Sequence, residues 1–127
     1  MHAYFLAAAI ALILVGLVHS VFGEVLIFRR LRKAGLVPKE PAPPLQVRHI
    51  GILWATWHLA SAFGFGFAYL LLSIAQGDTA PDPVIVKAML FACLAGSMLV
   101  LIGTRGRHPG WIGLLAVAAL VHLGSAA

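Results

Sequence analysis

Sulfur and negative charge are both scarce in this chain of 127 residues: Cys93 is its one cysteine, and Glu24, Glu40, Asp78 and Asp82 are its four acids. A lone cysteine cannot form an intramolecular disulfide or a paired-thiol metal site. Four scattered acids supply no carboxylate cluster of the kind a di-iron centre needs. Charged residues make up only 10% of the chain against 61% hydrophobic residues, and the mean hydropathy is +0.99. A soluble core of this size cannot hide that much apolar surface, so a bilayer is the expected solvent. No set of nucleophile, general base and oxyanion donors can be assembled either, so catalytic turnover is not expected.

What the chain does have is four apolar stretches, at about residues 3–28, 49–75, 84–103 and 111–126. Each is near the ~20 residues that cross a hydrocarbon layer. They predict an all-α polytopic membrane protein, an up-down-up-down bundle of four transmembrane helices forming one domain over 1–127. The first stretch lacks both a basic start and a small-residue cleavage site, so it reads as a retained helix. Between the first two stretches, Pro38, Pro41, Pro43 and Pro44 make a connector over 29–48 that cannot continue a helix.

The basic residues are concentrated. Eight of the nine occupy or border two connectors, with Arg29, Arg30, Arg32, Lys33, Lys39 and Arg48 at the first and Arg105 and Arg107 at the third. The positive-inside rule makes these connectors cytoplasmic and leaves both termini and the acidic loop with Asp78 and Asp82 outside. A pI of about 10.2 placed this way points to anionic lipid headgroups rather than nucleic acid. Arg29, Arg30, Arg32, Lys33, Arg105, Arg107 and His108 are the headgroup candidates.

Polar residues within the spans are the functional candidates. His19 precedes Arg29 by ten residues and His58 follows Arg48 by ten. At ~1.5 Å per residue both lie about 15 Å deep, near the middle of a ~30 Å core. Cys93, ten residues before Gly103, falls in the same layer, and His122 lies slightly further out. Imidazoles at one depth could ligate haem b or a transition metal ion, with His122 and Cys93 as further ligands. Gly16 and Gly23 share the face of His19 and leave room beside it for a flat group or a close helix. Glu24 is turned away from His19 by about 140°. It is costly in hydrocarbon unless protonated or paired, with Arg48, Arg29 or His49 as candidate partners and the Ser20 hydroxyl within reach one turn back.

The strings Val18-His19-Ser20-Val21-Phe22-Gly23-Glu24 and Ala55-Thr56-Trp57-His58-Leu59-Ala60-Ser61 resemble those of an uncharacterised family of small four-helix bacterial inner-membrane proteins. There, a His-Ser-x-x-Gly-Glu string closes the first helix and a Trp-His string opens the second. The resemblance covers about the first seventy residues; it implies a four-helix fold in a bacterial inner membrane and carries no activity. Three functions are therefore compatible with the residues. One is a midplane histidine site for haem b or a metal ion. Another is a non-catalytic accessory or assembly role, as a homo-oligomer or as a subunit of a larger membrane complex. The third is proton or small-ion passage through Glu24 and the histidines.

Overall fold

In the computed structural model, which describes residues 2–126, the chain is all-α. Helix α1 covers His2–Leu26, α2 Val47–Gln76, α3 Pro83–Gly103 and α4 Gly110–Ala126, and a 3-10 turn occupies Phe28–Leu31. No β-strand occurs among the described residues beyond a lone bridge between Ala42 and Leu45. Three helices, α1, α2 and α3, are long and apolar enough to cross a membrane, with hydropathies of 2.5, 1.6 and 2.3 over their most apolar windows. Only 22–28% of those windows is buried inside the protein. So large an apolar surface left facing outward calls for a hydrocarbon surround. Helix α4 is shorter, at 17 residues.

The helix ends follow local chemistry. Asp82 caps α3 by accepting from the amides of Val84 and Ile85, at 2.7 and 3.2 Å, and Pro83 occupies the first turn, where no amide is needed. Gly77, with φ of 85°, ends α2 in a left-handed conformation that glycine takes without strain. Helix α1 stops at Leu26, two residues before the sequence-based boundary, because Phe28–Leu31 tightens into the 3-10 turn. Helix α2 starts two residues early, at Val47, where the His49 ring accepts the Gln46 amide at 3.1 Å. The proline-rich connector has no helix of its own but is folded: the Leu31 carbonyl accepts the amides of both Lys39 and Glu40, and Pro38 is fully buried.

Two compact units divide the chain, one comprising Gly16–Phe63 and the other the residues up to Val15 and from Gly64 onward. The second of these holds the apolar core. Phe5, Ala8, Ala9 and Leu12 of α1 recur at helical spacing, as do Ala68, Leu71 and Ile74 of α2, Val86, Met89 and Cys93 of α3, and Val117, Ala118 and Val121 of α4. Small residues let the backbones approach. A Cβ on Gly124 would lie 3.2 Å from three atoms of the Phe5 ring. Ser97 of α3 donates to the Trp111 carbonyl of α4 at 2.8 Å, which satisfies a buried hydroxyl and ties the pair.

Phe5 is fully buried and cannot swing outward without emptying this core. Gly124→Val should therefore overpack it and cost about 1–3 kcal/mol. The expected readout is a lower thermal midpoint of the detergent-solubilised protein than for Ser125→Ala, whose hydroxyl is exposed at the next position.

Candidate functional site

The polar side chains of α1 and α2 meet within the Gly16–Phe63 unit, because the two helices run antiparallel there in one register. His19 lies opposite Trp57, Ser20 opposite His58 and Ser61, and Glu24 opposite Trp54 and His58. The 3-10 turn then folds the chain back on itself. This brings Arg32 onto Glu24 as an ion pair and hydrogen bond, eight residues along the chain.

His19 and Trp57 form a reciprocal clasp. The His19 ring Nε2 lies 3.2 Å from the Trp57 carbonyl, and Trp57 Nε1 donates to the His19 carbonyl at 3.0 Å. A carbonyl only accepts, so Nε2 carries a hydrogen. The two rings stack at 4.4 Å and 7° between planes, and Phe28 meets the indole edge-on at 5.8 Å. The space that Gly23 leaves is taken by this indole: a Cβ on Gly23 would collide with Trp57 Nε1. The glycine thus admits a tryptophan from the facing helix.

His58 sits in a longer chain of donors and acceptors. Ser61 donates to the Gly16 carbonyl at 3.1 Å, Ser20 donates to Ser61 at 2.8 Å, and His58 Nδ1 lies 3.0 Å from Ser20 Oγ. Each hydroxyl has one hydrogen. If Ser61 gives its hydrogen to the carbonyl and Ser20 gives its own to Ser61, His58 Nδ1 is the donor to Ser20. On the other side of the ring, Nε2 faces Glu24 Oε2 at 3.7 Å. Glu24 already accepts from Arg32 and, at 3.4 Å, from Trp54 Nε1. A bare Nε2 lone pair beside that carboxylate would be repelled, and a neutral imidazole has only one N–H. In that order of donors, a hydrogen on each ring nitrogen would serve Ser20 and Glu24 together. The same heavy atoms equally accommodate the reverse order, with Ser61 donating to Ser20, Ser20 to Nδ1, and Nε2–H pointing at Glu24.

The remaining sequence candidates fall elsewhere. Glu24 takes Arg32 as its cation, whereas Arg48 is exposed on the second residue of α2 and Arg29 is exposed on the 3-10 turn. The Ser20 hydroxyl serves Ser61 and His58 and does not reach back to Glu24. The carboxylate hydrogen-bonds the Arg32 guanidinium and so raises its pKa above the ordinary arginine value. Lys33 pairs with Glu40 at 3.1 Å. Of the headgroup candidates, Arg29, Arg30, Arg105, Arg107 and His108 are exposed, while Arg32 is turned inward to Glu24. Cys93 belongs to the other unit, buried in its core with Met89 and Val117, and His122 is exposed on α4. Among the described residues no three His, Cys, Asp or Glu side chains gather as a metal-holding group. Metal ligation by His19 Nε2 would displace the Trp57 carbonyl, and ligation by either nitrogen of His58 would displace Ser20 or Glu24.

Ser61, Trp57 and Arg32 complete the site in roles the sequence did not single out. Ser61, three residues after His58, carried a helical-face signal. Comparison with protein-family models, curated proteins and solved structures finds no match, so the chemistry is read from the residues alone.

Gly23→Ala tests the clasp. The new methyl group should push Trp57 off the His19 carbonyl, change the tryptophan fluorescence and lower the thermal midpoint, while Gly66→Ala, which meets nothing within 4 Å, should leave both near the wild-type values.

Proposed function

We propose that this chain is a small integral membrane protein that binds and relays a proton through Glu24, His58, Ser20 and Ser61. The supporting observation is the run of hydrogen bonds from His58 through Ser20 to Ser61, whose heavy atoms are satisfied in either direction. A run that can be satisfied in either direction is what a proton relay requires. Titratable groups placed among apolar helices also have few other uses.

The topology that suits this reading has four spans in up-down-up-down order in a bacterial inner membrane, with the basic connectors cytoplasmic and both termini periplasmic. Helix α4, about 25 Å long at 1.5 Å per residue, spans with local thinning of the bilayer. Arg32 and Glu24 then form the cytoplasmic mouth. Arg32 holds the carboxylate in an ion pair and the proton passes between Glu24 and His58, while Ser20 and Ser61 carry the hydrogen-bond polarity inward toward Gly16.

A second reading has specific support: the Trp57 and Ser61 side chains both end on α1 carbonyls, as they would in a helix lock with no traffic. On that reading the chain is an accessory subunit, and its exposed apolar faces meet copies of itself or a larger membrane complex. Haem b or a transition metal ion held by His19 and His58 is a third proposal, and it requires both rings to leave the partners described above.

Proton flux into proteoliposomes, driven by a potassium diffusion potential and followed with an entrapped pH dye, separates these readings. The relay predicts flux in the wild type, lowered ~100-fold by His58→Ala or Glu24→Gln, the lower end of what a positioned proton carrier contributes. Ser20→Ala should also lower it, by cutting the chain at its second link. Flux equal in wild type and both variants would reject the relay. Absence of flux with a lowered thermal midpoint in His58→Ala would favour the lock, and a Soret band or stoichiometric metal in the purified protein would favour the cofactor.

A further inference from the structure

The end of the protein that carries the acidic loop has one cation that nothing in the site above uses. Lys87 is the fifth residue of α3, about 6 Å along the helix axis from its start. A lysine at that depth sits at the boundary between acyl chains and headgroups, where its stem lies in hydrocarbon and its ammonium seeks an anion. Among the described residues it has no ion pair. The nearby carboxylate of Asp82 is engaged in capping α3.

Lys87 lies on a cleft of about 400 Å³ between the start of α3 and the end of α4, all within one unit. Its walls are mostly apolar, with Pro83, Val86 and Leu90 on one side, and His122 and Ser125 lie across from them. Ser125 donates its hydrogen to the His122 carbonyl at 2.8 Å, so Lys87 and the His122 ring are the groups left to face a ligand. An apolar trough with a cation at headgroup depth matches a molecule that has an anionic head and a hydrocarbon tail.

We infer that this cleft binds one anionic phospholipid, with its phosphate on Lys87 and His122 and an acyl chain along Val86 and Leu90. The assignment rests on the membrane reading above and is independent of the relay. It places a lipid site at the opposite end of the chain's charge distribution from the arginine-rich connectors, where charge counting along the sequence puts none. A zwitterionic lipid presents the same phosphate but brings its own ammonium against Lys87, so the cleft discriminates by headgroup charge.

The test incubates detergent-extracted protein with equal amounts of phosphatidylglycerol and phosphatidylcholine of identical acyl chains and counts bound lipid by native mass spectrometry. Wild type should retain phosphatidylglycerol preferentially, and Lys87→Gln should lower that preference about fivefold, the worth of one lysine near an anionic headgroup. Lys87→Arg should keep it. The double variant Arg105→Gln, Arg107→Gln should keep the Lys87-dependent lipid, which separates this site from headgroup binding at the basic connectors. Equal preference in Lys87→Gln and wild type would overturn the assignment, and so would displacement of the lipid by excess inorganic phosphate, which would mark a site for free anions. Release of the protein from membranes by alkaline carbonate would overturn the membrane reading and this site with it, whereas retention without lipid preference overturns this site alone.

Discussion

A carboxylate placed on an apolar helix has to find its donors inside the protein, and the arrangement around Glu24 follows from that requirement. Water supplies none in hydrocarbon, and an unpaired charge there costs several kcal/mol. Arg32, Trp54 and His58 each turn a donor or a cation toward it. To deliver Arg32 the chain must reverse immediately after α1, which the 3-10 turn at Phe28–Leu31 accomplishes. To deliver Trp54 and His58, four residues apart on one face of α2, that helix must lie antiparallel to α1 in a fixed register. The same register then carries Ser20 to Ser61 and His19 to Trp57.

The two units hold their helices together by different physics. In hydrocarbon there is no hydrophobic drive between helices, so close packing and interhelical hydrogen bonds must suffice. The unit with the apolar core uses packing, with alanine and glycine letting Phe5, Leu71 and Met89 interlock. The Gly16–Phe63 unit uses hydrogen bonds and ring stacking, each such bond contributing about 0.6–2 kcal/mol in a membrane. Apolar packing is indifferent to protonation, whereas a network with titratable members is not. Among the described residues the ion pairs thus lie in one unit, and the core of the other is built from apolar packing.

Much of this was legible in the residues. Hydropathy located all four helices to within two residues at each end that is described, because apolar runs broken by proline and charge leave little choice. Counting ten residues from Arg29 and Arg48 put His19 and His58 in one layer, and these histidines do contact adjacent positions of the facing helix. Arg32 was not legible as the partner of Glu24. It lies eight residues on, beyond a helix end, and no helical period links residues across a 3-10 turn. The spacing of Gly23 leaves room for a flat group or a close helix, and sequence cannot say that the plane filling it is the indole of Trp57. Equal depth likewise said nothing of rotation or of neighbouring units: Cys93 shares the counted layer and belongs to a different unit.

The proposed relay and the proposed helix lock would not be independent, because they would share hydrogen atoms. With a proton held between His58 and Glu24, Ser20 points to Ser61, and Ser61 is driven to bond the Gly16 carbonyl across the helix interface. Without that proton, Ser61 turns back to Ser20 and the Gly16 carbonyl keeps only its bond within α1. On the proposed relay, the number of hydrogen bonds joining the two helices would therefore depend on which way the hydroxyls of Ser20 and Ser61 point. A contact that looks purely structural, Ser61 on Gly16, is the far end of a chain of hydrogen bonds whose near end is His58. By linkage, whatever strengthens that contact must also favour the bound proton. On that proposal the helix pair and the proton site would form one thermodynamic unit, and a change in either would be felt by the other.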